Sequence, residues 1–515
     1  MYAESHEGAN LAASKPQHEI MLFTSVTFAF FLLVVFVLYW FVFYRNLTAQ
    51  NLVLLISSYF FYGWWDWRFL FLLSFISVSN YIIAIQIQKK DKKLLRKSLF
   101  ITGLIINIGT LVIFKYFNFF IDGIIHLASL LGMKANLHTL NIILPIGISF
   151  YIFLSLSYLI DAYQNKLVAV RNFFDALLTF SFFPIILAGP IQRPISLLPQ
   201  IQNKRIFNFD KATDGLRQIL WGVFMKIVIA DRAAVHANRI FSDSSTLPGS
   251  TLIFGIFFFT VQIYADFAGY SNIAIGIGKL LGFNIMQNFA YPYFARDIRE
   301  FWKRWNISLT TWFRDYVFLP IAYSVSRNIK SDRFYFIKTE FLIYTVGIAG
   351  TWILTGLWHG ANYTFILWGL FHGFFLIMNH VTAKPRKRLL KRFNVLNDNI
   401  LLTIVDSLAT FIIIMLSWIF FRADNVEHAL SYISGIFSFS AFNVPYSSGI
   451  STDLITILLI ILFFIIEWIG RKQEYAIAGM FSKWPRPLRW GMYYSIILTI
   501  VWFLGEQQQF IYFQF

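Results

Sequence analysis

Long apolar runs separated by short polar stretches dominate this chain. The first run opens at Met21 and stays uncharged until Tyr44. Further apolar runs occupy residues 51–64, 69–88, 98–114, 141–160, 173–192, 215–230, 251–278, 341–357, 361–380, 400–421, 454–470 and 491–505. Because a helix that crosses a bilayer needs about 20 apolar residues, the pattern predicts an all-α polytopic membrane protein with about eleven transmembrane helices. Shorter or charge-bearing runs predict additional re-entrant or interfacial helices.

The segments before and after the first apolar run indicate how the chain is organised. Residues 1–20 are polar and hold no apolar core, which predicts a disordered N-terminal extension. No small-residue cleavage signature follows the run that ends at Tyr44, so we expect a retained span and not a signal peptide. Residues 21–515 are therefore predicted to form a single transmembrane domain.

Composition supports a lipid-facing protein. Hydrophobic residues make up 57% of the chain and charged residues only 13%. Soluble domains are about 45–50% apolar and about 25% charged, and interior volume grows too slowly with size to hide such an excess. The chain has no cysteine, which excludes disulfides, thiolate metal sites and a cysteine nucleophile. No zinc-binding histidine spacing is present either, so we expect no metal site.

The net charge of +17 comes from short basic clusters between the apolar runs. In a soluble protein such a charge would suggest nucleic acid, but here the clusters match the positive-inside rule for cytoplasmic loops. Binding to anionic lipid is a secondary interpretation, and no nucleic-acid partner is expected. The basic residues are Lys89, Lys90, Lys92, Lys93, Arg96 and Lys97; Lys384, Arg386, Lys387, Arg388, Lys391 and Arg392; and Lys483, Arg486 and Arg489.

Residues 295–330 carry many charges within an aromatic frame. Phe301, Trp305, Leu309, Trp312 and Tyr316 recur at helical spacing and predict one apolar stripe. Arg299, Lys303, Asn306 and Thr310 would lie on another face. One interpretation is an interfacial helix whose basic side chains reach water. The other is a basic lining for an anionic ligand, since Arg and Lys suit phosphates.

A histidine within the next apolar region is the main candidate for chemistry. Gly356, Trp358, His359 and Gly360 precede a second apolar run. An ionisable residue inside a membrane segment is costly and is a functional hypothesis by default. An imidazole at this position could act as a general base. A structural histidine that is hydrogen-bonded between helices remains an equal alternative.

Two further ionisable residues lie inside apolar runs. His372 follows His359 by thirteen residues, which places it on a different face of a continuous helix. Asp266 needs a partner inside the membrane, and a structural ion pair competes there with a catalytic role.

Several segments, taken together, resemble the membrane-bound O-acyltransferase family. LWHGANYTFILWGLFHG at 357–373 is similar to the family's histidine signature. The likeness continues, in chain order, through MLFTSVTFAFF at 21–31, PIGISFYIFLSLSYLIDAY at 145–163, FPIILAGPIQR at 183–193, YADFAGYSNIAIGIGKLLGF at 264–283, FWKRWNISLTTWFRDYVFLPI at 301–321 and the terminal FIYFQF. It covers essentially residues 21–515 and is strongest to the bacterial branch that O-acetylates alginate.

The resemblance implies a fold, an activity and a set of site residues. It implies about eleven spans around a thinned core with a central tunnel, in a bacterial inner membrane. An acyl group, most simply acetyl, would pass from a cytoplasmic thioester such as acetyl-CoA to an extracytoplasmic polysaccharide, through an SGNH-type partner enzyme. His359 matches the family's catalytic histidine. Asn306 stands where alginate-type relatives usually carry a second histidine, and an amide can orient but cannot act as a base.

The remaining site assignments concern the donor and the tunnel. Arg296, Arg299, Lys303, Arg304 and Trp305 are expected to bind the donor. Asp266, Trp358, Asn362 and His372 are expected to line the tunnel. The residues alone also allow a transporter or channel with a His/Asp relay. The resemblance also allows an acyltransferase that moves D-alanine or another acyl group to teichoic acid or peptidoglycan. No permanently bound cofactor is expected.

Overall fold

The computed structural model describes residues 20–133, 138–140, 142–329, 331–393, 399–446, 450–481, 484–505 and 508–511. The first half of the described chain contains helices α1 Val26–Val37, α2 Leu47–Trp65, α3 Phe69–Lys89, α4 Lys93–Leu111, α5 Phe117–Leu130, α6 Ile148–Tyr163, α7 Phe173–Ser181, α8 Phe183–Ile186, α9 Pro194–Gln202, α10 Phe209–Phe224, α11 Asp231–Ser242 and α12 Gly249–Leu280. The extension predicted for residues 1–20 lies outside the described residues except for Ile20.

The second half contains helices α13 Ile298–Arg304, α14 Ile307–Phe313, α15 Leu319–Asn328, α16 Thr339–His359, α17 Tyr363–Arg392, α18 Ile400–Arg422, α19 Val426–Ile436, α20 Ile450–Gly470 and α21 Arg486–Trp502. A two-stranded antiparallel hairpin, β1 Arg333–Phe334 and β2 Ile337–Lys338, precedes α16 and pairs Arg333 with Lys338. Wider π turns at Leu38–Val42, Val112–Tyr116, Met225–Ala230 and Arg314–Phe318, and 3-10 turns at Pro292–Phe294 and Phe439–Phe442, complete the helical segments.

Ten apolar helical segments of the described chain carry the membrane character. Six are long and apolar enough to cross a bilayer: Phe69–Lys89, Lys93–Leu130, Gly249–Leu280, Thr339–His359, Tyr363–Arg392 and Ile400–Arg422. Four shorter ones are Val26–Val42, Ile148–Tyr163, Phe173–Ile186 and Leu454–Gly470. The protein is therefore an all-α polytopic membrane protein, as the pattern of apolar runs predicts.

The 32-residue helix α12 lies at the centre of the bundle, and 83% of its most apolar window is buried inside the protein. Its backbone packs directly against that of α10. The approach is so close that a Cβ added at Gly276 would lie 2.5 Å from the carbonyl oxygen of Gly215. A second contact of this kind joins Gly269 to Gly222. Small residues that let backbones approach are typical of helix packing in membranes, so α12 is a protein-facing helix.

Helices α16 and α17 form a close antiparallel hairpin. A Cβ at Gly356 would lie 2.3 Å from the carbonyl oxygen of Phe365, and one at Gly369 would lie 2.2 Å from that of Trp352. Real Cβ atoms do not approach so closely, so both positions require glycine. The hairpin therefore sets the position of His359, the last residue of α16.

Three predicted segments differ from the helices observed. The run 98–114 continues as helix to Leu130 through a π turn. The run 141–160 becomes helical only at Ile148, because Gly147 has a φ of 74°. The run 173–192 breaks at Phe182, and its helical part ends at Ile186.

The continuous helix predicted through residues 301–316 is wrong. The extended backbone of Trp305 ends α13, and Asn306, with a φ of 41°, comes directly before α14. Asparagine is one of the few residues with a side chain that tolerates this conformation. The apolar stripe is nevertheless buried, with Phe301, Trp305, Leu309 and Trp312 at most 5% exposed.

We expect Gly356→Val to destabilise the protein by on the order of 1–3 kcal/mol, because the added carbons would push α17 away from α16. The matched control is Gly109→Val in α4, where no other atom lies within 4 Å of the added Cβ. Thermal unfolding in detergent should show a lower apparent Tm for Gly356→Val alone. Equal Tm values for the two variants would contradict the contact.

Candidate active site

His359 ends α16 inside a group of aromatic rings and is 5% exposed. Its ring centroid lies 4.8 Å from that of Trp358, 4.8 Å from that of Trp368 and 5.0 Å from that of Phe421, each in an edge-on arrangement. Edge-on aromatic contacts favour one ring orientation. The imidazole is therefore held within a largely apolar shell.

A cavity of about 80 Å³ reaches this imidazole. Its walls are Lys115, Leu144, Pro145, Ile146, Gly147, Ile148, Ser149, Phe150, Leu187, Trp358 and His359. A Cβ at Gly147 would lie 2.4 Å from the carbonyl oxygen of Ile186, so glycine is what lets the start of α6 approach the turn after α8. Gly147 forms part of the cavity wall, and His359 has open space beside it.

The π turn between α4 and α5 brings two consecutive polar side chains to the end of α16. Lys115 Nζ donates to the carbonyl oxygens of Trp358 at 2.6 Å and His359 at 3.1 Å. Tyr116 Oη donates to that of Leu357 at 2.7 Å. Carbonyl groups in the last turn of a helix lack partners within the helix, so these donors satisfy the end that carries the imidazole.

Lys115 was not predicted as a site residue because the apolar run 98–114 stops just before it. A signal was nevertheless present, since the segment from Phe117 to Leu131 is again mostly apolar, with Asn118, Asp122, His126 and Ser129 as its polar residues. A single lysine inside a long apolar segment is a functional candidate by the argument applied to His359.

His372 lies one aromatic layer away from His359. Its Nδ1 accepts a hydrogen bond of 3.3 Å from Trp302 Nε1, and the residue is fully buried. Trp368 separates the two histidines, with ring centroids 4.8 Å from His359 and 4.7 Å from His372. His372 does not line the cavity of about 80 Å³.

Asn306 is 2% exposed and lies at the junction of α13 and α14. The start of α14 is bound to a neighbouring loop, because Asn288 Oδ1 accepts from Ser308 Oγ at 2.8 Å. Ser308 Oγ in turn accepts from the backbone N–H of Ile191 at 3.0 Å. This buried junction joins three segments, and a role for Asn306 in orienting His359 remains a prediction.

The predicted donor-binding residues separate into two groups. Arg296, Arg299 and Lys303 are exposed, and Arg304 is partly buried in an ion pair with Glu300. Trp305 is 1% exposed, and its ring packs 5.5 Å from that of Phe301 and 5.0 Å from that of Trp418. A role of Trp305 in donor binding stays a prediction.

Trp358 lines the cavity, but two other predicted tunnel residues serve the packing. Asp266 is 1% exposed, pairs with Lys226 Nζ at 2.9 Å and accepts from the backbone N–H of Ile511 at 2.8 Å. Asn362 accepts from the N–H of Thr364 at the start of α17 and donates to the carbonyl oxygen of Asp424. Neither residue lines the cavity beside His359. The predicted absence of a metal site stays a prediction.

Comparison with known proteins identifies the family. A profile of the membrane-bound O-acyltransferase family matches residues 172–423. The probable alginate O-acetylase of Pseudomonas aeruginosa is 34% identical over 460 residues, which cover 88% of this chain and 82% of that protein. The chain belongs to the membrane-bound O-acyltransferase family. The chain is therefore an acyltransferase, and a transporter or channel is no longer a competing interpretation.

Two other relatives of this acyltransferase differ in the names they carry. The peptidoglycan O-acetyltransferase of Helicobacter pylori is 30% identical over 465 residues, covering 85% of this chain and 83% of that protein. The teichoic acid D-alanyltransferase of Bacillus subtilis is 25% identical over 301 residues, covering 56% and 71%. The family profile includes Asn306 and His359 but begins after Lys115.

We expect Asp266→Asn to lower the stability of the acyltransferase, since breaking a buried ion pair costs about 3–5 kcal/mol. The turnover of each folded molecule should stay within about threefold of the wild-type value. The control is Asp406→Asn, whose carboxylate pairs with the more exposed Arg386 and should matter little. Apparent Tm and turnover would be measured together. Unchanged stability with abolished turnover would show that Asp266 takes part in the chemistry.

Proposed function

We propose that this acyltransferase is an O-acetyltransferase of a cell-surface or exopolysaccharide, such as alginate. Acetyl-CoA in the cytoplasm would be the donor, and the acceptor side would lie outside the bacterial inner membrane. A periplasmic or extracellular SGNH-type enzyme would receive the acetyl group for the polysaccharide. The observation that carries the proposal is the placement of His359 at the wall of a small cavity, within a family of O-acyltransferases.

The relatives favour acetyl over D-alanyl transfer. The two relatives with the greater identity and coverage are named for alginate and peptidoglycan O-acetylation. The teichoic acid D-alanyltransferase of Bacillus subtilis has lower identity and covers 56% of this chain.

The cavity size agrees with a short acyl group. A water molecule occupies about 30 Å³ in the liquid. The cavity of about 80 Å³ therefore has room for two to three groups of the size of water. An acetyl group has three non-hydrogen atoms.

The chemistry needs one proton acceptor at a fixed place. The acceptor hydroxyl attacks the thioester carbonyl, His359 takes the hydroxyl proton, and the carbon–sulfur bond breaks as the ester forms. General base catalysis of this kind contributes about 10²–10⁴-fold. Alternatively, the imidazole carries the acetyl group transiently between donor and acceptor. In either case His359 is the residue on which transfer depends.

The exposed basic side chains of α13 would hold the donor. Arg296, Arg299 and Lys303 are exposed together near the buried junction at Asn306. Guanidinium and ammonium groups bind phosphate through charge-assisted hydrogen bonds. The positive-inside rule assigns such basic surfaces to the cytoplasmic side, where acetyl-CoA is present.

We expect His359→Ala to lower the rate of acetyl transfer from acetyl-CoA by about 10²–10⁴-fold, because the general base is lost. His380→Ala is the matched control, since His380 is an exposed histidine of α17 that stacks on Tyr344 away from the cavity. Purified protein in detergent would be assayed by thiol release, and elution volume would report the fold. Near wild-type transfer by folded His359→Ala would remove the proposal.

We expect the double variant Arg299→Ala/Lys303→Ala to raise the KM for acetyl-CoA about tenfold with little change in kcat, since a hydrogen bond to a charged group contributes about 1.5–3 kcal/mol. Lys387→Ala/Arg388→Ala removes two exposed charges from the end of α17 and serves as the control. If both double variants changed KM equally, general charge and not this surface would be responsible.

A further inference from the structure

Lys115 is a basic residue beside the candidate base, and no carboxylate of the described chain forms an ion pair with it. Its partners are the carbonyl oxygens of Trp358 and His359 and the face of the Trp358 ring, 5.8 Å away. By contrast, the buried Lys226 is paired with both Asp231 and Asp266. A charge taken out of water is normally compensated by a partner, and Lys115 is half-buried with no carboxylate beside it in the described chain.

The amino group of Lys115 lies at the negative end of a helix. The carbonyl groups at the C-terminus of a helix carry a partial negative charge equivalent to about half an electron. Lys115 Nζ lies against the last two residues of α16. The helix end therefore holds Nζ in place but supplies no full negative charge. An ammonium group has three N–H donors, and two are used by these carbonyl oxygens.

The remaining donor has the cavity available to it. Lys115 and His359 both line the space of about 80 Å³. That space is large enough for an acetyl group. The negative charge that Lys115 meets there can therefore be the charge that develops on the acetyl group during the reaction.

We propose that Lys115 is a catalytic residue that stabilises the oxyanion formed on the carbonyl oxygen of the acetyl group. This inference rests on the proposed acetyl transfer and adds an electrostatic partner to His359. As the acceptor oxygen bonds to the carbonyl carbon, the carbonyl electron pair moves to oxygen beside Lys115, and the hydroxyl proton moves to His359. The carbonyl then re-forms, the carbon–sulfur bond breaks, and the thiolate leaves with the proton from His359.

Preorganised donors of this type have large effects on kcat. Loss of one oxyanion donor lowers kcat by about 10²–10³-fold. The effect should fall on kcat and not on the KM for acetyl-CoA, since the charge develops only in the transition state.

The test separates charge from helix capping with three variants. Lys115→Gln retains N–H donors for the helix end but has no charge, and Lys115→Arg retains the charge. Tyr116→Phe is the matched control, since it removes the neighbouring bond to the carbonyl oxygen of Leu357 and leaves Lys115 intact. Each variant would be purified in detergent and compared with wild type for apparent Tm, kcat and KM with acetyl-CoA.

The expected result is a kcat loss of about 10²-fold for Lys115→Gln at an unchanged KM, partial activity for Lys115→Arg and less than about threefold loss for Tyr116→Phe. Equal kcat losses in Lys115→Gln and Tyr116→Phe would overturn the proposal and assign Lys115 to helix capping. Failure of Lys115→Gln to fold would overturn it in the same way. Absence of acetyl transfer by the wild type would instead refute the proposed function.

Discussion

The backbone contact between α16 and α17 is the constraint on which the rest of the site depends. Gly356 and Gly369 bring the two helices so close that any side chain there would meet a carbonyl group. This contact sets the end of α16, and the end of α16 carries His359. Trp358 and Phe421 then hold the imidazole edge-on. A base can act in a thioester reaction only if it is positioned to within a fraction of an ångström, and a glycine-packed hairpin supplies such a support.

A buried lysine and a half-buried one, Lys226 and Lys115, illustrate how the protein uses basic groups within its apolar interior. Lys226 is compensated by Asp231 and Asp266, and with them it binds the C-terminal residues through the carbonyl oxygen of Gln508. Lys115 has no such compensation among the described residues and lies beside a cavity. The first arrangement stabilises the fold. The second leaves positive potential at the place where negative charge develops during acyl transfer.

Much of the fold could be predicted from the sequence, because apolar runs of span length have few other uses. His359 was also recognisable, since an imidazole in such a run is costly. Local breaks were harder to predict. The positive φ of Asn306 divides a stripe whose periodicity is helical throughout, and periodicity carries no information on one residue's backbone conformation. Lys115 was not predicted as a site residue because it follows directly after the apolar run 98–114 and was taken as the end of that span. The burial of Trp305 and Asp266, each 1% exposed, was not predictable either, since tertiary packing decides which way a side chain points.

If one imidazole serves a donor on one side of the membrane and an acceptor on the other, sealed proteoliposomes must transfer acetyl groups across their membrane. The acyltransferase would be inserted in one orientation, with isotope-labelled acetyl-CoA on the side of the basic loops. A soluble acidic oligosaccharide and its acetyltransferase partner would be placed on the opposite side. We expect labelled ester on the opposite side, and none with His359→Ala. Labelled ester that forms only when donor and acceptor share one side would show that His359 does not serve both sides.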